Sequence, residues 1–334
     1  MAYTNLIGSG WAVNGAPLLP GTMGIPFTGQ YWFVDAVRGS DGNASAGTGA
    51  TPDAPLKTIA HAYALAAEGN NDVIVLMSGP TTADGTTGSF PLTASLVWAK
   101  SALHMVGMTA PTKIGQRARI VAPSTNAANL APVLSVTAHG CLFANFMILE
   151  EANTASSDST LVAVSGNRNA FVNVHINGMT TAVGAARAGS YALYLNGAQE
   201  NSFLGCTIGA DTVRRTAANA SVICRNQAAR NVFQDCLFPM WTDGVAFFID
   251  VGAVSALDRW LLMKNATLSN FIGGTTCAAA LKTDANTGGC VIMDTCTLVF
   301  VTQYSATNPD VVVKVSGPVP NGFSSGKALS SATS

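Results

Sequence analysis

The sequence predicts an all-β protein, a single-stranded right-handed parallel β-helix with an N-terminal capping helix. The main observation is a short pattern that recurs six times between Val133 and Leu298. In each copy a large apolar anchor is followed two positions later by a small, mostly polar residue and five positions later by a large apolar one. Successive anchors lie 28, 32, 30, 30 and 30 residues apart. Such a period indicates stacked units that bury their apolar faces on one another. The anchors are Phe143, Phe171, Phe203, Phe233, Met263 and Met293.

A second apolar run precedes each of the first four anchors by about ten residues. These runs are too short for helices and are rich in strand-forming residues. Turn-forming residues such as Gly140, Asn167 and Gly197 separate run from anchor. We therefore expect two or three short strands per turn, with variable loops on one side. The runs are Val133–Val136, Leu161–Val164, Ala192–Leu195 and Val222–Arg225.

Two further positions of the repeat predict which side chains face inward. The third position after each anchor is small or apolar in all six copies, so we expect it to join the interior wall. It holds Phe146, Val174, Cys206, Cys236, Ala266 and Cys296. The fourth position is mixed in character, so we expect it to face outward. It holds Met147, His175, Thr207, Leu237, Thr267 and Thr297.

The second position after the anchor forms a column with two interpretations. It contains Asn145, Asn173, Asp235 and Asn265, with Gly205 between the second and third. Asn and Asp tolerate left-handed backbone and bond their own neighbours, which favours a stacked structural turn. A row of ligand or metal groups is the functional alternative. The interruption at Gly205 favours the structural interpretation.

The chain begins with a Gly- and Pro-rich segment that we predict to be an extended docking arm, residues 1–30. Its apolar residues show no clear period, and leaving them in water is unfavourable. We therefore predict that Trp11, Leu18, Leu19 and Phe27 contact a partner surface. The β-helix domain is predicted over residues 31–316, and residues 317–334 are predicted to be a flexible or docking tail.

The segment from residue 31 to 80 is predicted to cap the coil. Tyr31–Asp35 has strand character, and a turn cluster containing Gly39 and Gly42 follows it. We predict a helix from Pro55 to Ala67 with Asp53 as its cap, and a buried strand after Asp72. This succession resembles the N-terminal cap of pectin-lyase-like parallel β-helix proteins, including those of tailed bacteriophages. In that family the helix covers the open end of the apolar channel.

Composition limits the classes of function. Charged residues are 10% of the 334 residues and the net charge is −1, whereas about a quarter of residues are charged in typical soluble domains. A neutral balance argues against nucleic-acid binding. No run of 18 apolar residues exists, so no membrane span is predicted, and residues 1–10 lack the pattern of a secretory signal. Low charge suggests a surface covered by partner chains or one built from Thr, Ser, Asn and Gly.

The seven cysteines are predicted to be free and buried. Their number is odd and no C-x-x-C pair occurs, which weakens disulfide-framework and zinc hypotheses. Free thiols fit assembly in a reducing cytoplasm. The cysteines are Cys141, Cys206, Cys224, Cys236, Cys277, Cys290 and Cys296.

The search for catalytic groups gives few candidates. The four histidines, His61, His104, His139 and His175, lie in separate segments without metal-ligand spacing. A lyase-like acidic cluster with a basic partner would draw on Asp235 with Asp243 and on Arg225, Arg230 or Arg259. Glu150 and Glu151 are neighbours that would point to opposite faces of a strand. We favour solvated or ion-paired roles for these acids, and therefore predict no catalytic residue, cofactor or metal.

Two functions from different classes remain. The first is a non-enzymatic bacteriophage virion protein, a capsid decoration subunit rather than a tail appendage, assembled in the host cytoplasm. The resemblance to phage β-helix proteins implies a homotrimer that binds capsid or tail proteins. The alternative is a tailspike-like or secreted carbohydrate-active β-helix, a polysaccharide lyase or hydrolase or a glycan-binding module. Fold alone does not decide between them.

Overall fold

The computed structural model describes residues 4–7, 10–13, 16–17, 29–42, 49–77, 89–109, 112–122, 130–150, 158–271, 276–305, 311–316 and 327–328. Within these ranges the chain winds as a right-handed parallel β-solenoid of about six turns, so the predicted fold class is confirmed. Each full turn passes in the same order through three parallel sheets, which we number 1, 2 and 3. Strands are numbered along the chain.

Sheet 1 contains, in spatial order, β7 (Leu96–Trp98), β10 (Leu134–Val136), β13 (Thr160–Val164), β16 (Tyr191–Asn196), β19 (Ala220–Arg225), β22 (Phe247–Val251) and β25 (Leu281–Thr283). Sheet 2 contains β4 (Tyr31–Asp35), β5 (Val73–Met77), β8 (His104–Gly107), β11 (Leu142–Ala144), β14 (Ala170–Val172), β17 (Ser202–Leu204), β20 (Asn231–Gln234), β23 (Arg259–Lys264), β26 (Gly289–Asp294), β28 (Val312–Ser316) and β29 (Lys327–Ala328). Sheet 3 contains β6 (Phe90–Pro91), β9 (Arg119–Ala122), β12 (Met147–Glu150), β15 (His175–Asn177), β18 (Thr207–Ile208), β21 (Leu237–Met240), β24 (Thr267–Asn270) and β27 (Thr297–Val299).

The segment predicted as an extended arm contains a small antiparallel sheet. Its strands are β1 (Thr4–Ile7), β2 (Gly10–Val13) and β3 (Ala16–Pro17). Of the four predicted docking residues, Trp11 lies in β2, while Leu18, Leu19 and Phe27 fall outside the described residues. Most of the predicted tail also falls outside them.

The interior is organised around the six anchors, which pair in register on neighbouring strands of sheet 2. The rings of Phe143, Phe171, Phe203 and Phe233 stack with centroid separations of 4.8, 4.7 and 4.7 Å. All six residues at the third position after the anchors are buried in the same core cluster, as the repeat predicts. All seven cysteines are free, and only Cys290 is not fully buried.

The corner between sheets 2 and 3 confirms the structural interpretation of the polar column. All six residues there have left-handed φ, from 49° at Asn265 to 61° at Gly205. Asn173 Nδ2 donates to Asn145 Oδ1 at 3.1 Å, and Asn265 Nδ2 donates to Asp235 Oδ1 at 2.6 Å. Two pairs of neighbouring turns are thus tied together by these side chains, while Gly205 interrupts the column.

The fourth position after the anchor is partly mispredicted. Met147, His175 and Thr207 were expected to face solvent but are buried, at 4%, 3% and 1% exposure. The reason is the segment 112–119, which lies over this corner. Gly115 N donates to His175 Nδ1 at 3.2 Å, and Thr207 Oγ1 donates to the carbonyl of Lys113 at 2.8 Å. No local sequence pattern predicts that a distant segment covers these residues.

A second polar ladder lies at the corner between sheets 1 and 2, two residues before the anchors. Asn169, Asn201 and Asn231 are buried there. Asn201 Oδ1 accepts the backbone N–H of Asn169 at 2.9 Å, and Asn231 Oδ1 accepts that of Asn201 at 3.0 Å. The column satisfies backbone groups that burial would otherwise leave unpaired. The sequence prediction missed it, although the constant spacing from the anchors marks it.

The predicted cap helix is shorter than expected. It is α1 (Ile59–Leu65), and its N-cap is Thr58 rather than Asp53, because Thr58 Oγ1 accepts the N–H of His61 at 3.1 Å. The residues before Ile59 are not helical, and Leu56 instead forms a parallel β-bridge with Val34 of β4. The carboxylate of Asp41 accepts the N–H of Lys57 at 2.8 Å and the hydroxyl of Thr58 at 2.6 Å. The second helix, α2 (Ala182–Ala185), is a single turn.

The cap is anchored on both sides by buried or partly buried charges. Lys100 Nζ donates to the carbonyls of Tyr63 at 2.7 Å and Ala66 at 2.6 Å, which satisfies the C-terminal end of α1. Asp72 is 2% exposed. Its carboxylate accepts from Gln30 N (2.7 Å), Trp32 Nε1 (3.2 Å), Ala67 N (2.9 Å) and Asn70 Nδ2 (2.7 Å). One carboxylate therefore joins the start of the coil to its cap.

Candidate functional site

A cluster of charged and aromatic side chains lies on the outer face of sheet 1. Tyr194, Ile223, Asp250 and Lys282 pair in register on β16, β19, β22 and β25. The residues that alternate with them point into the core, as the period-two geometry of a strand requires. Arg225 ends β19 beside this column. We call the residues Tyr191, Tyr194, Arg225, Asp250 and Lys282 the sheet 1 cluster.

Asp250 is the centre of the cluster and is only 2% exposed. Its Oδ2 lies 3.0 Å from Arg225 Nη2 and 3.5 Å from Lys282 Nζ. Its Oδ1 accepts the backbone N–H of Gly252 at 2.8 Å. The two cations remain accessible, with 22% of the Arg225 side chain and 41% of the Lys282 side chain exposed. One carboxylate against two cations leaves this part of the face net positive.

Two tyrosines on β16 flank the charges, and both are partly exposed. Burial raises the pKa of Tyr191, and the nearby negative charges of Asp250 and Asp158 raise it further, against an opposite effect of Arg225. The phenol therefore keeps its proton at neutral pH and can donate a hydrogen bond. Tyr191 begins β16 and pairs with Thr160 at the start of β13, so it lies at the end of the cluster nearest to Asp158.

A concave region of about 700 Å³ adjoins the cluster at the start of β13 and β16. It is lined by Asp158, Val183, Arg187 and Gly189 and by neighbouring alanines. Gly189 lets the Asp158 carboxylate approach the backbone there, because a methyl group at its Cα would overlap that carboxylate. The α2 turn forms one wall.

The cluster suits binding and orientation of an anionic or polyhydroxylated ligand. Arg225 and Lys282 offer donors and positive charge, and tyrosines offer both an apolar ring and a hydroxyl. Asp250 is nearly inaccessible and its oxygens are already engaged, so its geometry positions the two cations rather than attacking a ligand. Glycoside hydrolysis needs two suitably separated carboxyl groups. Two described acids affect Tyr191: the enclosed Asp250, and Asp158 at the edge of the face.

Of the residues considered from the sequence, only Arg225 belongs to the cluster. Asp235 lies at the corner between sheets 2 and 3, bonded to Asn265. Asp243 forms an ion pair with Arg214 instead of meeting Asp235. The remaining two arginines also pair elsewhere: Arg230 with Glu200 at 2.6 Å, and Arg259 with Asp258 at 3.0 Å.

The other early candidates remain dispersed. Burial lowers the pKa of His104 and of His175 to about 4, so both are neutral at pH 7. Among the residues the structure describes, no three metal-ligating side chains come together. Glu150 ends β12, and Glu151 falls outside the described residues. In the described part of the chain, no helix is long and apolar enough to cross a membrane.

Sequence reasoning missed Asp250, Lys282, Tyr191 and Tyr194. The available signal was an acidic residue inside the apolar strand pattern Phe247–Val251. A charge in such a run requires a partner on a neighbouring strand. The partners of Asp250 are Arg225 and Lys282, which lie 25 and 32 residues away in sequence. Only the register of the coil identifies them.

No family model matches the chain, and no curated protein matches it either. Solved structures with the same fold do match. A pectin methylesterase in complex with a hexasaccharide is 14% identical, with 90% of this chain and 93% of that chain covered and a TM-score of 0.56. The pectate lyase Pel9A is 12% identical, with coverage of 91% and 73% and a TM-score of 0.55. A rhamnogalacturonan lyase is 13% identical, with coverage of 86% and 70% and a TM-score of 0.55.

At these identities the likeness establishes the pectin-lyase-like parallel β-helix fold. It also corrects one prediction from the sequence. The chain was predicted not to be an enzyme because no catalytic motif was found, but the similar structures are mostly enzymes. The prediction rested on a search for local motifs, whereas this architecture places side chains from separate turns on one face. Local motifs are therefore a poor test for catalytic groups in such a protein.

Proposed function

We propose that this chain is a carbohydrate-active β-helix protein that holds an acidic polysaccharide against the outer face of sheet 1. The observation that carries the proposal is the pair of accessible cations, Arg225 and Lys282, fixed by the buried carboxylate of Asp250. A cation held in place by a buried partner loses little conformational freedom when it binds a carboxylate or sulfate group.

The shape of the face supports the same proposal. Parallel strands lie about 4.8 Å apart, so a polymer that crosses the rungs meets one strand after another. Tyr191 and Tyr194 supply rings beside the cations, and sugar rings pack on such partly apolar surfaces. The pectin methylesterase, pectate lyase and rhamnogalacturonan lyase of the same fold support a carbohydrate-active enzyme as the class.

We expect the protein to bind de-esterified polygalacturonate at least tenfold more tightly than fully methyl-esterified pectin or dextran, with affinity falling as salt rises. Isothermal titration measures binding. Released methanol, unsaturated sugar ends and new reducing ends distinguish esterase, lyase and hydrolase activity in the same incubations. Equal affinity for the charged and uncharged polymers would contradict the proposal.

Variants locate the site. Arg225→Ala and Lys282→Ala are each expected to weaken binding about tenfold, equivalent to about 1.4 kcal/mol. Lys282→Ala is the milder structural change, because Arg225 still neutralises Asp250. Arg259→Ala is the matched control, since Arg259 is 63% exposed and pairs with Asp258 at the start of β23 in sheet 2. If the control loses as much affinity as the two cluster variants, the binding face is elsewhere.

A virion subunit, of the capsid decoration type, is the second candidate. It is favoured by the low fraction of charged residues, 10%, and by large apolar side chains that stay exposed, among them Val254 at 69% and Phe271 at 66%. Such side chains are suited to burial against partner subunits. We expect the protein to co-purify with capsids in stoichiometric amount if this role is correct. Removal of residues 1–30, including Trp11, is expected to abolish that association while the β-helix itself still folds, which the protease resistance of the remaining chain measures.

A further inference from the structure

The guanidinium of Arg215 is buried inside the protein with most of its donors unused. The residue is 0% exposed. Its Nη1 donates to Ser221 Oγ at 3.1 Å and lies 3.5 Å from Met240 Sδ, a residue of the main core. Among the residues that the structure describes, its Nε and Nη2 have no hydrogen-bond partner. Arginine has five N–H donors in a fixed plane, and native proteins rarely leave buried ones unpaired.

No described carboxylate neutralises this charge. Burial lowers the pKa of Arg215 to about 10, which still leaves the side chain cationic at neutral pH. The ionisable group near the Arg215 guanidinium is the thiol of Cys277. Burial raises the pKa of that thiol to about 12, so the thiol is uncharged at neutral pH and does not neutralise the guanidinium. Asp243, which follows the residue that pairs with Arg215, forms an ion pair with the neighbouring Arg214 at the surface. Buried charges are otherwise found paired.

The backbone fixes Arg215 in this inward position. Its N–H donates to the carbonyl of Trp241 at 2.8 Å, and its carbonyl accepts from Thr242 Oγ1 at 3.3 Å. Gly209 makes room for the guanidinium: a methyl group on Gly209 would lie 2.9 Å from Arg215 Nη2 and 2.9 Å from Ser221 Oγ. The side chain is therefore seated by specific contacts rather than turned in by chance.

We propose that Arg215 is the centre of an internal anion site, in the corner between β18, β19 and β21, that takes one small monovalent anion of the size of chloride. One negative charge balances one guanidinium, whereas a water molecule would leave the charge uncompensated. The unpaired Nε–H and Nη2–H groups supply the donors, and the Ser221 hydroxyl, which already accepts from Nη1, can donate its own proton.

The test is the dependence of unfolding on chloride at constant ionic strength. Urea unfolding is followed while sodium chloride replaces sodium gluconate, whose anion is too large for an enclosed site. A ligand that binds only the folded state lowers the unfolding equilibrium constant in proportion to its concentration above Kd. We therefore expect the constant to fall tenfold for each tenfold increase in chloride in that range.

Two variants separate the site from general salt effects. Arg215→Met keeps much of the side-chain volume and removes the charge, so its unfolding is expected to be independent of the anion. Arg214→Met is the matched control: its side chain is 53% exposed and pairs with Asp243, so the chloride dependence should persist. Chloride dependence that survives in Arg215→Met would overturn the proposal, as would its absence from the natural protein.

A direct observation covers the case in which Arg215→Met does not fold. Crystals of the natural protein grown with sodium bromide are measured at the bromine absorption edge. We expect an anomalous peak within hydrogen-bond distance of Arg215 Nε or Nη2. Bromide peaks on the surface alone, with none at Arg215, would overturn the proposal.

Discussion

Replacement of Phe203 with alanine is expected to lower the free energy of unfolding by about 3–5 kcal/mol. The ring is 0% exposed and stacks on Phe171 and Phe233 at 4.7 Å on both sides. Its neighbours lie on adjacent turns and are held by the same backbone register, so the cavity cannot close by a local shift. Urea unfolding monitored by circular dichroism measures the loss.

Phe271→Ala is the matched control for this prediction. Phe271 is 66% exposed, and surface substitutions away from special features usually change stability by less than about 0.5 kcal/mol. A loss below about 1 kcal/mol for Phe203→Ala, or equal losses for the two variants, would contradict the central role of the stacked anchors.

Asp72→Ala is expected to destabilise the protein by more than about 3 kcal/mol, because four donors lose their acceptor and each bond to a charged group contributes about 1.5–3 kcal/mol. Those donors belong to the chain before β4, to β4 itself and to the segment after α1. The change therefore separates the cap from the first turns. Thermal unfolding and protease sensitivity of the first hundred residues measure the effect.

The effect of Asp72 depends on pH in a defined direction. Burial acts to raise the pKa of this carboxyl, but the hydrogen bonds from Ala67, Gln30, Trp32 and Asn70 outweigh it and hold the pKa below its ordinary value of 3.8. The stabilisation is therefore complete above the unfolded pKa and is lost as pH falls through the folded one. We expect the stability difference between natural protein and Asp72→Ala to be constant above about pH 4 and to shrink below it.

Asp53→Ala provides the comparison for Asp72. Asp53 is exposed, and the structure gives its predicted capping role to Thr58. We expect a change below about 0.5 kcal/mol and no altered pH dependence. A larger loss for Asp53→Ala than for Asp72→Ala would show that the cap is held mainly at its start rather than by the Asp72 carboxylate.

Much of the coil was predictable because its signals are local and repeated. A stacked anchor is the same residue type at the same position in each unit, as Phe143, Phe171 and Phe203 show. The left-handed corner was predictable for the same reason, since Asn145 and Asn173 tolerate that backbone. The buried ladder of Asn169, Asn201 and Asn231 carries an equally regular signal that the sequence prediction did not use.

The candidate site was not predictable from any one segment. In the sequence, Asp250 is an isolated acid within an apolar strand and Arg225 is the last residue of another strand. The register of sheet 1 places Arg225 Nη2 3.0 Å from Asp250 Oδ2. The unit lengths between turns vary, so the partner of a residue on the next turn cannot be counted off along the chain. The prediction of a non-enzymatic protein rested on the same search for local motifs.

The sequence by itself determined the repeat, the inward columns and the capping of the first turn, because each depends on residues a few positions apart. Only the tertiary structure decided which outward residues are covered, which charges meet and which are enclosed. His175 is buried because a distant segment lies over it. Arg215 is enclosed because Ser221 and Met240, from two later strands, pack against its guanidinium. These outcomes depend on packing between segments, which local periodicity does not encode.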